Sequence, residues 1–273
     1  MSTEITPLPA ATVTLVRDSA QGPEVLMMRR NMQSGFVPGT HLFPGGALDE
    51  ADDTPALRAL CAGMSDDDAS RRLGIGSGGL AFWAAAIRES FEEAGILVAY
   101  EGGQRVIALD QPARAERFRR HRHALNAGER GFIDIVRDEG LMLAADHLVY
   151  FSHWITPVGA PRRYDTRFFI GEAPPAQEAQ HDNQETISAL WVRPAAALDR
   201  HRANDFDMRL PTVRTLEEFA AYDSVAALMQ GMRNKRDIDA NLPRITRQGG
   251  YLLPGDAGYE AISAEEGKGR WKI

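Results

Sequence analysis

The chain has 273 residues, a formal net charge of −7 and a hydrophobic share of 44%. This length allows one large domain or two small ones with a sizeable core. The negative charge argues against nucleic acid held by bulk electrostatic attraction. Cys61 is the single cysteine of the sequence, which excludes an internal disulfide and favours a reducing cytoplasm.

Membrane insertion and secretion are not expected. No apolar run approaches the roughly 18 residues that a membrane-spanning helix needs. The first ten residues, MSTEITPLPA, lack the basic start and the apolar stretch of a signal peptide. The sequence therefore predicts a cytoplasmic protein without membrane association.

The first part of the chain predicts a hairpin, an irregular insert and one strong helix. Residues 11–18 and 23–30 are β-rich runs separated by a polar turn, which is typical of a hairpin. A loop rich in Gly and Pro follows and ends in GTHLFPGGALDE, residues 39–50. Residues 51–79 contain short helical pieces and close in GIGSGG. A helix is then expected from Ala81 to Ala94, ended by Gly95, and ILVAY, residues 96–100, predicts a strand.

The second part of the chain alternates between helices and strands. Residues 111–140 are polar and predict helix, and strand-like runs follow at 147–157, 162–171 and 187–194. From about residue 195 to 234 the pattern is mostly helical, and a tail with frequent Gly and Pro follows. The alternation of helices and strands has no regular βαβ rhythm. We therefore expect an α/β fold of the α+β type, in which helices pack on a mixed sheet.

The segment RESFEEAGI, residues 88–96, places three glutamates in the last turns of the predicted helix. At about 100° per residue, Glu89, Glu92 and Glu93 share an arc of roughly 100°. The opposite side carries the apolar residues Trp83, Ile87, Phe91 and Ala94. The three carboxylates repel one another, the helix dipole disfavours them at this end, and Arg88 is the only cation nearby.

Two interpretations of this acidic face remain open from spacing alone. Such a pattern is most often a solvated helix face. Alternatively, its oxygen ligands bind a hard divalent cation, Mg²⁺ or Mn²⁺.

RESFEEAGI resembles the second half of the Nudix box, G-x5-E-x7-R-E-U-x-E-E-x-G-U, in which U is apolar. The positions that match are Arg88, Glu89, Glu92, Glu93, Gly95 and Ile96, whereas Ser90 stands at an apolar position. FPGGALDEADD, residues 43–53, resembles the first half, with Gly46 as the glycine of the box. Arg88 lies 42 residues after Gly46 instead of 14, so that 28 residues are inserted. The early glutamate of the box falls on Asp52 when counted from Gly46 and on Leu80 when counted from Arg88.

An inserted box of this kind is similar to the coenzyme A diphosphatase-like branch of the Nudix hydrolase family. The signature of that branch, L-L-T-x-R…G-x3-F-P-G-G, is matched fully at its end by Gly39, Phe43, Pro44, Gly45 and Gly46. Its front end is matched only in part, because Met27 replaces the threonine and the second arginine is missing.

The resemblance implies a fold and an activity. The fold would be a Nudix-type α/β/α sandwich with a mixed sheet over residues 1–200, with a helical insert at 51–79 and a helical segment at 111–140. A mostly helical extension, residues 201–273, would pack on the same domain. The activity would be Mg²⁺- or Mn²⁺-dependent cleavage of the diphosphate of a small-molecule nucleoside diphosphate derivative, foremost coenzyme A or acyl-coenzyme A. ADP-ribose or a nucleotide sugar is the alternative substrate, a homodimer is common in the family, and a non-catalytic Nudix-like domain is the alternative function.

The resemblance also implies roles for particular residues. The metal ligands would be Gly46 through its carbonyl, Glu89, Glu92 and Glu93, and Arg88 would orient the carboxylates. Glu185 would be the extra glutamate of a late loop, acting as metal ligand or general base, with Asp182 as its nearest competitor.

The residues expected to contact the substrate are Arg29, Phe43, Arg163 and Arg167. Alternation along RRYDTRFF places Arg163, Asp165 and Arg167 on one face of a strand. This face is either half-exposed or brings arginine to a phosphate group.

Two further motifs leave alternatives open. GIGSGG, residues 74–79, satisfies G-x-G-x-x-G, the fingerprint of dinucleotide-dependent oxidoreductases, but no predicted strand precedes it, so a flexible hinge is favoured. The basic run RFRRHRH, residues 117–123, is either a solvated helix face or a set of cations over an anionic ligand.

Overall fold

A computed structural model describes residues 5–33, 37–182 and 185–263. The predicted C-terminal tail therefore lies partly outside the described residues, from position 264 onward.

Within the described ranges, the strands are β1 (Leu8–Ser19), β2 (Gly22–Arg30), β3 (His41–Leu42), β4 (Gly45–Ala47), β5 (Cys61–Ala62), β6 (Ala99–Glu101), β7 (Arg105–Val106), β8 (Met142–Ala144), β9 (Val149–Ile155), β10 (Tyr164–Glu172), β11 (Thr186–Val192), β12 (Ala240–Asn241), β13 (Arg244–Ile245) and β14 (Tyr251–Leu252). The helices are α1 (Pro55–Arg58), α2 (Asp66–Leu73), α3 (Leu80–Ala94), α4 (Pro112–Asn126), α5 (Phe132–Asp138), α6 (Pro194–Arg202), α7 (Leu210–Phe219) and α8 (Val225–Arg233). Short 3-10 turns lie at Glu50–Asp53, Ala145–His147 and Tyr259–Ala261.

The main sheet is mixed, as the sequence predicted. Its strand order is β11-β2-β1-β10-β9-β12, and β3 and β4 pair with β2 and β1 respectively. β1 pairs antiparallel with β2, which confirms the predicted hairpin, and parallel with β10. β4 lies antiparallel to β1, so that Gly45 and Gly46 face Thr12 and Ala11 across the ladder.

Helices cover both faces of this sheet. Val13 and Leu15 of β1 belong to one buried apolar cluster together with Trp83 of α3. Val16 belongs to a second cluster with Phe219 of α7, to which α6 and α8 also contribute. β1 is therefore buried on both sides, and the expected arrangement of a mixed sheet between helical layers is confirmed. Within the described ranges, none of the helices is both long and apolar enough to cross a membrane.

The predicted insert folds over α3. Its chain forms α1, β5 and α2, and β5 joins a small second sheet in the order β5-β8-β6-β7. In ILVAY only the last two residues enter a strand, β6. Ile96, Leu97 and Val98 are fully buried without strand structure.

The glycine-rich GIGSGG segment joins α2 to α3 and is not preceded by a strand. Asp66 of α2 accepts hydrogen bonds from the backbone N–H groups of Gly78 (3.0 Å) and Leu80 (2.9 Å). Ser70 Oγ accepts from Gly79 N at 2.9 Å. A side chain at Gly79 would place Cβ 2.2 Å from the Ser70 nitrogen. The backbone N–H groups of Gly78, Gly79 and Leu80 are thus already paired within the chain, and the segment packs α2 closely against α3. The flexible hinge favoured by sequence stays a prediction.

The helices predicted between residues 195 and 234 are present as α6, α7 and α8, and β13 and β14 pair antiparallel after them. The domain boundary at residue 200 stays a prediction.

Candidate active site

The glutamate helix α3 ends at Gly95, whose φ of +71° is the left-handed conformation that glycine adopts without strain. Glu89 and Glu93 are buried, at 9% and 3% exposure, and only Glu92 remains half-buried. The interpretation as a solvated helix face is therefore wrong for two of the three acids, because the backbone of β4 lies against the carboxylates of Glu89 and Glu93.

Arg88 connects three carboxylates. Its Nη1 donates to Glu89 Oε1 (2.8 Å) and Glu92 Oε2 (2.9 Å), and its Nη2 donates to Asp52 Oδ2 (2.8 Å). Nη2 also donates to the carbonyl of Ala47 at 3.0 Å. Burial disfavours the charged guanidinium, but the hydrogen bonds to Asp52 and the charge of Glu89 outweigh it and raise the pKa of Arg88. Arg88 thus stays cationic and fixes the orientation of its partners.

The three glutamates lie where a carboxylate is costly to ionise. Burial raises the pKa of Glu89 to about 7, although the charge of Arg88 lowers it. Burial, followed by repulsion from Glu89, raises the pKa of Glu93 well above its ordinary value. The pKa of Glu92 is also raised, again chiefly by burial. Desolvated carboxylates that repel one another favour either protons or an added cation.

The glycines of β4 allow the carboxylates to approach the backbone. The Gly45 N–H donates to Glu93 Oε2 at 3.3 Å. A Cβ atom at Gly46 would lie 2.5 Å from Glu89 Oε1. Any side chain at Gly46 would therefore displace Glu89, which gives a physical reason for glycine at this position.

Glu185 lies beside the three helical glutamates. Its charge contributes to the raised pKa of Glu89, Glu92 and Glu93. Asp182 accepts from the backbone nitrogens of Glu185 (3.2 Å) and Thr186 (2.9 Å). Asp182 thus fixes the backbone that carries Glu185 at the start of β11.

Two cavities meet the glutamates. The larger, of about 800 Å³, is lined by Glu89, Glu92 and Glu185 together with Gly45, Gly46, Arg30, Phe43, Arg162, Tyr164 and Thr166. The smaller, of about 200 Å³, is lined by Glu89, Glu92, Glu93, Leu125, Asn126, Asp182 and Glu185.

The predicted substrate arginines are not in the wall of the larger cavity. Arg29 is exposed, and its Nε donates to the carbonyl of Gly39 at 3.4 Å. Arg163 is 5% exposed and donates to the carbonyls of Thr156 (3.0 Å) and Ile5 (2.9 Å). Arg167 is equally buried and pairs with Asp165 and His153. None of the three lies in the wall of this cavity, and their contact with a substrate stays a prediction.

The larger cavity is instead lined by arginines adjacent in the chain to two of the predicted arginines. Arg162 and Arg30 line it, and Tyr164 and Thr166 continue the face that alternation separates from Arg163. Arg30 Nε is buried and has no hydrogen-bond partner among the residues that the structure describes. Phe43, by contrast, is in the cavity wall as expected. Sequence alternation groups residues by face but does not say which face meets the glutamates, so these arginines were missed.

Arg122, in the basic run of α4, is neither on a solvated helix face nor among cations over an anionic ligand. This residue is buried, and its Nε and Nη2 donate to the carbonyls of Glu92 (2.9 Å) and Glu93 (2.6 Å). Arg117 and His121 pair with Glu139 on α5's C-terminal side. Arg122 thus stabilises the C-terminal end of α3 through hydrogen bonds to its backbone carbonyls and is not part of a solvated face.

The side chains do not form a closed metal centre as they stand. In the described part of the chain, no group of three or more His, Cys, Asp or Glu side chains is arranged to hold a metal ion. Glu89 and Glu92 are instead turned toward Arg88. The donor set nevertheless suits a hard divalent cation, since it consists of carboxylate oxygens beside the open backbone of Gly46.

The comparisons with known proteins agree with the resemblance. A family model described as the NUDT19 Nudix domain matches residues 62–218. The acyl-coenzyme A diphosphatase NUDT19 of Gallus gallus is 30% identical over 275 residues, which cover 86% of this chain and 72% of that protein. The Homo sapiens protein of the same name is 27% identical over 281 residues, covering 88% and 73%.

A solved structure is also similar. The crystal structure of a NUDIX hydrolase from Alicyclobacillus acidocaldarius has a TM-score of 0.65 and 26% identity, covering 85% of this chain and 99% of that chain. The predicted Nudix fold and its coenzyme A diphosphatase-like branch are confirmed. This chain belongs to the NUDT19 Nudix domain family of Nudix hydrolases.

Proposed function

We propose that the chain is a divalent-metal-dependent diphosphatase that cleaves the P–O–P linkage of coenzyme A or an acyl-coenzyme A. One observation carries the proposal: a single cavity of about 800 Å³ is lined by both carboxylates and arginines. Carboxylates suit a cation and arginines suit phosphate, so a metal ion and a diphosphate fit side by side. The names of the relatives support acyl-coenzyme A as the substrate class.

Glu89, Glu92 and Glu93 would hold Mg²⁺ or Mn²⁺, with the carbonyl of Gly46 as a further ligand. When bound, the metal supplies positive charge that neutralises the diphosphate and lowers the pKa of a water molecule. The raised pKa values of the glutamates support this role, because a cation returns to these carboxylates the stabilisation that burial removes.

Arg88 and Asp52 would orient the carboxylates without contacting the substrate. Arg88 keeps Glu89 and Glu92 on the same side of the helix, and Asp52 holds Arg88 from the opposite side. Glu185 would act as a metal ligand or accept the proton of the attacking water, because it borders both cavities.

Arg30 and Arg162 would bind the phosphates of the substrate. The Nε of Arg30 has no hydrogen-bond partner among the described residues, which supports a role for this group toward an anion. Phe43 and Tyr164 would flank the ligand. Water would attack one phosphorus atom, the bond from that phosphorus to the bridging oxygen would break, and the bridging oxygen would leave on the other phosphate. With coenzyme A the products would be 3′,5′-ADP and a phosphopantetheine.

A panel of substrates tests this proposal. Purified protein is incubated with coenzyme A, an acyl-coenzyme A, ADP-ribose and a nucleotide sugar, with Mn²⁺, with Mg²⁺ and with a chelator. We expect metal-dependent 3′,5′-ADP release from the coenzyme A compounds, nearly abolished in Glu92→Gln and Glu93→Gln variants that remain folded. If ADP-ribose is cleaved faster than the coenzyme A compounds, the substrate class is ADP-ribose instead. Wild-type rates in both variants would contradict the assignment of the site.

Cytoplasmic localisation and a homodimer also belong to the proposal. The single cysteine supports a reducing compartment. The pKa of Cys61 is raised to about 12 by burial, which keeps the thiol unreactive. The homodimer follows from the family resemblance, and light scattering with size exclusion tests it.

A further inference from the structure

The last turn of α3 is held from outside by two residues of α4. Arg122 donates to the carbonyls of Glu92 and Glu93, and Asn126 Nδ2 donates to the carbonyl of Glu92 at 3.1 Å. The two residues are four positions apart and therefore lie on the same side of α4. They satisfy carbonyls that have no partner within their own helix, so α4 fixes the backbone that carries two of the glutamates.

The amide of Asn126 can point in only one way. Its nitrogen must face the Glu92 carbonyl, because the reverse orientation would bring two acceptor oxygens together. Oδ1 then points away from that carbonyl. It is buried and has no hydrogen-bond partner in the residues that the structure describes. Asn126 also lines the cavity of about 200 Å³ that it shares with Glu89, Glu92 and Glu93.

The surroundings decide what can satisfy this oxygen. The charged residues in the wall of the cavity, the three helical glutamates with Asp182 and Glu185, are all acidic. Ionised carboxylates accept hydrogen bonds and cannot donate them. With a cation bound, these carboxylates are ionised, so none of the charged residues described in this wall can donate to Asn126 Oδ1, whereas a water molecule in the cavity can. The cavity has room for several water molecules, since each occupies roughly 30 Å³ in the liquid.

We propose that Asn126 is a positioning residue of the cation site. Its Oδ1 accepts a hydrogen bond from water in the hydration shell of the divalent cation, while its Nδ2 fixes the Glu92 backbone. A neutral amide oxygen adds an acceptor without adding negative charge to a site that already has five carboxylates. This inference rests on the proposed function, because it requires that the glutamates bind a divalent cation.

Three variants separate the role of Asn126 Oδ1 in the cavity from the hydrogen bonds that hold the backbone of α3. Asn126→Leu removes both the oxygen and the nitrogen and keeps the number and branching of the heavy atoms, and Asn126→Asp keeps an oxygen toward the cavity. Arg122→Met removes bonds to the same carbonyls and leaves Asn126 intact. The Mn²⁺ affinity is measured by titration calorimetry, and the melting temperature is measured without metal. If Asn126→Leu does not fold, Asn126→Ala replaces it.

We expect Asn126→Leu to weaken Mn²⁺ binding roughly 10- to 100-fold, the range found for partners around metal ligands. Asn126→Asp should retain affinity within a few-fold. Arg122→Met should lower the melting temperature at least as much as Asn126→Leu but weaken Mn²⁺ binding less. The same ranking should appear in the Mn²⁺ concentration that half-saturates activity.

Two results would overturn the inference and leave the proposed function intact. One is Mn²⁺ binding by Asn126→Leu at wild-type affinity. The other is an equal loss of affinity in Asn126→Leu and Arg122→Met, which would show that Asn126 acts only by holding the backbone of α3. A wild-type protein that binds no Mn²⁺ or Mg²⁺ would instead remove the proposed function, and this inference with it.

Discussion

Asp52 and Arg88 form a buried ion pair across the inserted segment: Asp52 Oδ2 lies 2.8 Å from Arg88 Nη2, and Asp52 is 1% exposed. The pair lies 36 residues apart in the chain. Counting from Gly46 places Asp52 at the early glutamate of the Nudix box. The insertion thus leaves Asp52 in contact with the arginine of the box, although the sequence alone left its role unassigned.

Removing this carboxylate should destabilise the fold as well as the site. We expect Asp52→Ala to lower the free energy of unfolding by about 3 kcal/mol, because it leaves a buried guanidinium with fewer partners. Asp53→Ala is the matched control. Its side chain is 47% exposed and paired with Arg58, so its change should stay within about 1 kcal/mol. Urea denaturation of both variants measures the difference, and equal stabilities would show that the buried pair contributes little.

Gly46→Ala should impair the site without destabilising the backbone. The new Cβ would lie 2.5 Å from Glu89 Oε1, so the carboxylate must move. Where catalytic groups must be aligned, a misplacement of about 1 Å lowers the rate about 100-fold. Turnover and Mn²⁺ affinity should both fall, while the melting temperature changes little.

Gly76→Ala provides the control for this change, because nothing lies within 4 Å of its added Cβ. It should retain wild-type activity. Full activity in Gly46→Ala would show that Glu89 does not need its present position.

Much of the architecture could be predicted because each element carries its own local signal. α3 combines apolar periodicity with Gly95 at its end, and the hairpin of β1 and β2 follows from β-rich runs around a turn. The burial of Glu89 and Glu93 could not be predicted. It depends on β4, whose glycines lie against the two carboxylates although they are more than 40 residues away in the sequence.

Two arginines in the cavity wall are chain neighbours of residues predicted to contact the substrate. Arg29 and Arg163 were expected, whereas Arg30 and Arg162 line the cavity. Successive residues of an extended chain point to opposite sides. The choice between neighbours therefore depends on which side meets the glutamates, which only the packed structure determines.

Arg162→Gln and Arg163→Gln should separate binding from stability. Arg162 is exposed at the cavity, so its loss should raise KM for an acyl-coenzyme A about tenfold, equal to one charge-assisted hydrogen bond, with little change in melting temperature. Arg163 is buried and donates to two backbone carbonyls. Its loss should lower the free energy of unfolding by about 2 kcal/mol and leave KM nearly unchanged. Steady-state kinetics and denaturation on both variants check this, and the opposite assignment of effects would restore Arg163 to the site.

His41 should make stability depend on pH below neutrality. Its ring stacks on Phe206 with centroids 3.5 Å apart, and the side chain is buried. Burial lowers its pKa from 6.5 to about 4. Between these values the unfolded chain binds a proton at His41 that the folded protein does not, so stability falls as the pH falls. The stabilisation is fully present above about pH 6.5 and lost near pH 4, with a slope of up to about 1.4 kcal/mol per pH unit.

His41→Phe keeps an aromatic ring against Phe206 but cannot take up a proton. Urea denaturation at pH 7.5, 5.5 and 4.5 should show a smaller loss of stability for this variant than for the wild type. His123→Gln, at an exposed position of α4, should follow the wild-type curve. If His41→Phe loses stability as steeply as the wild type over this range, the proton uptake that destabilises the fold occurs at another group, and the packing of His41 against Phe206 does not exclude its charged form.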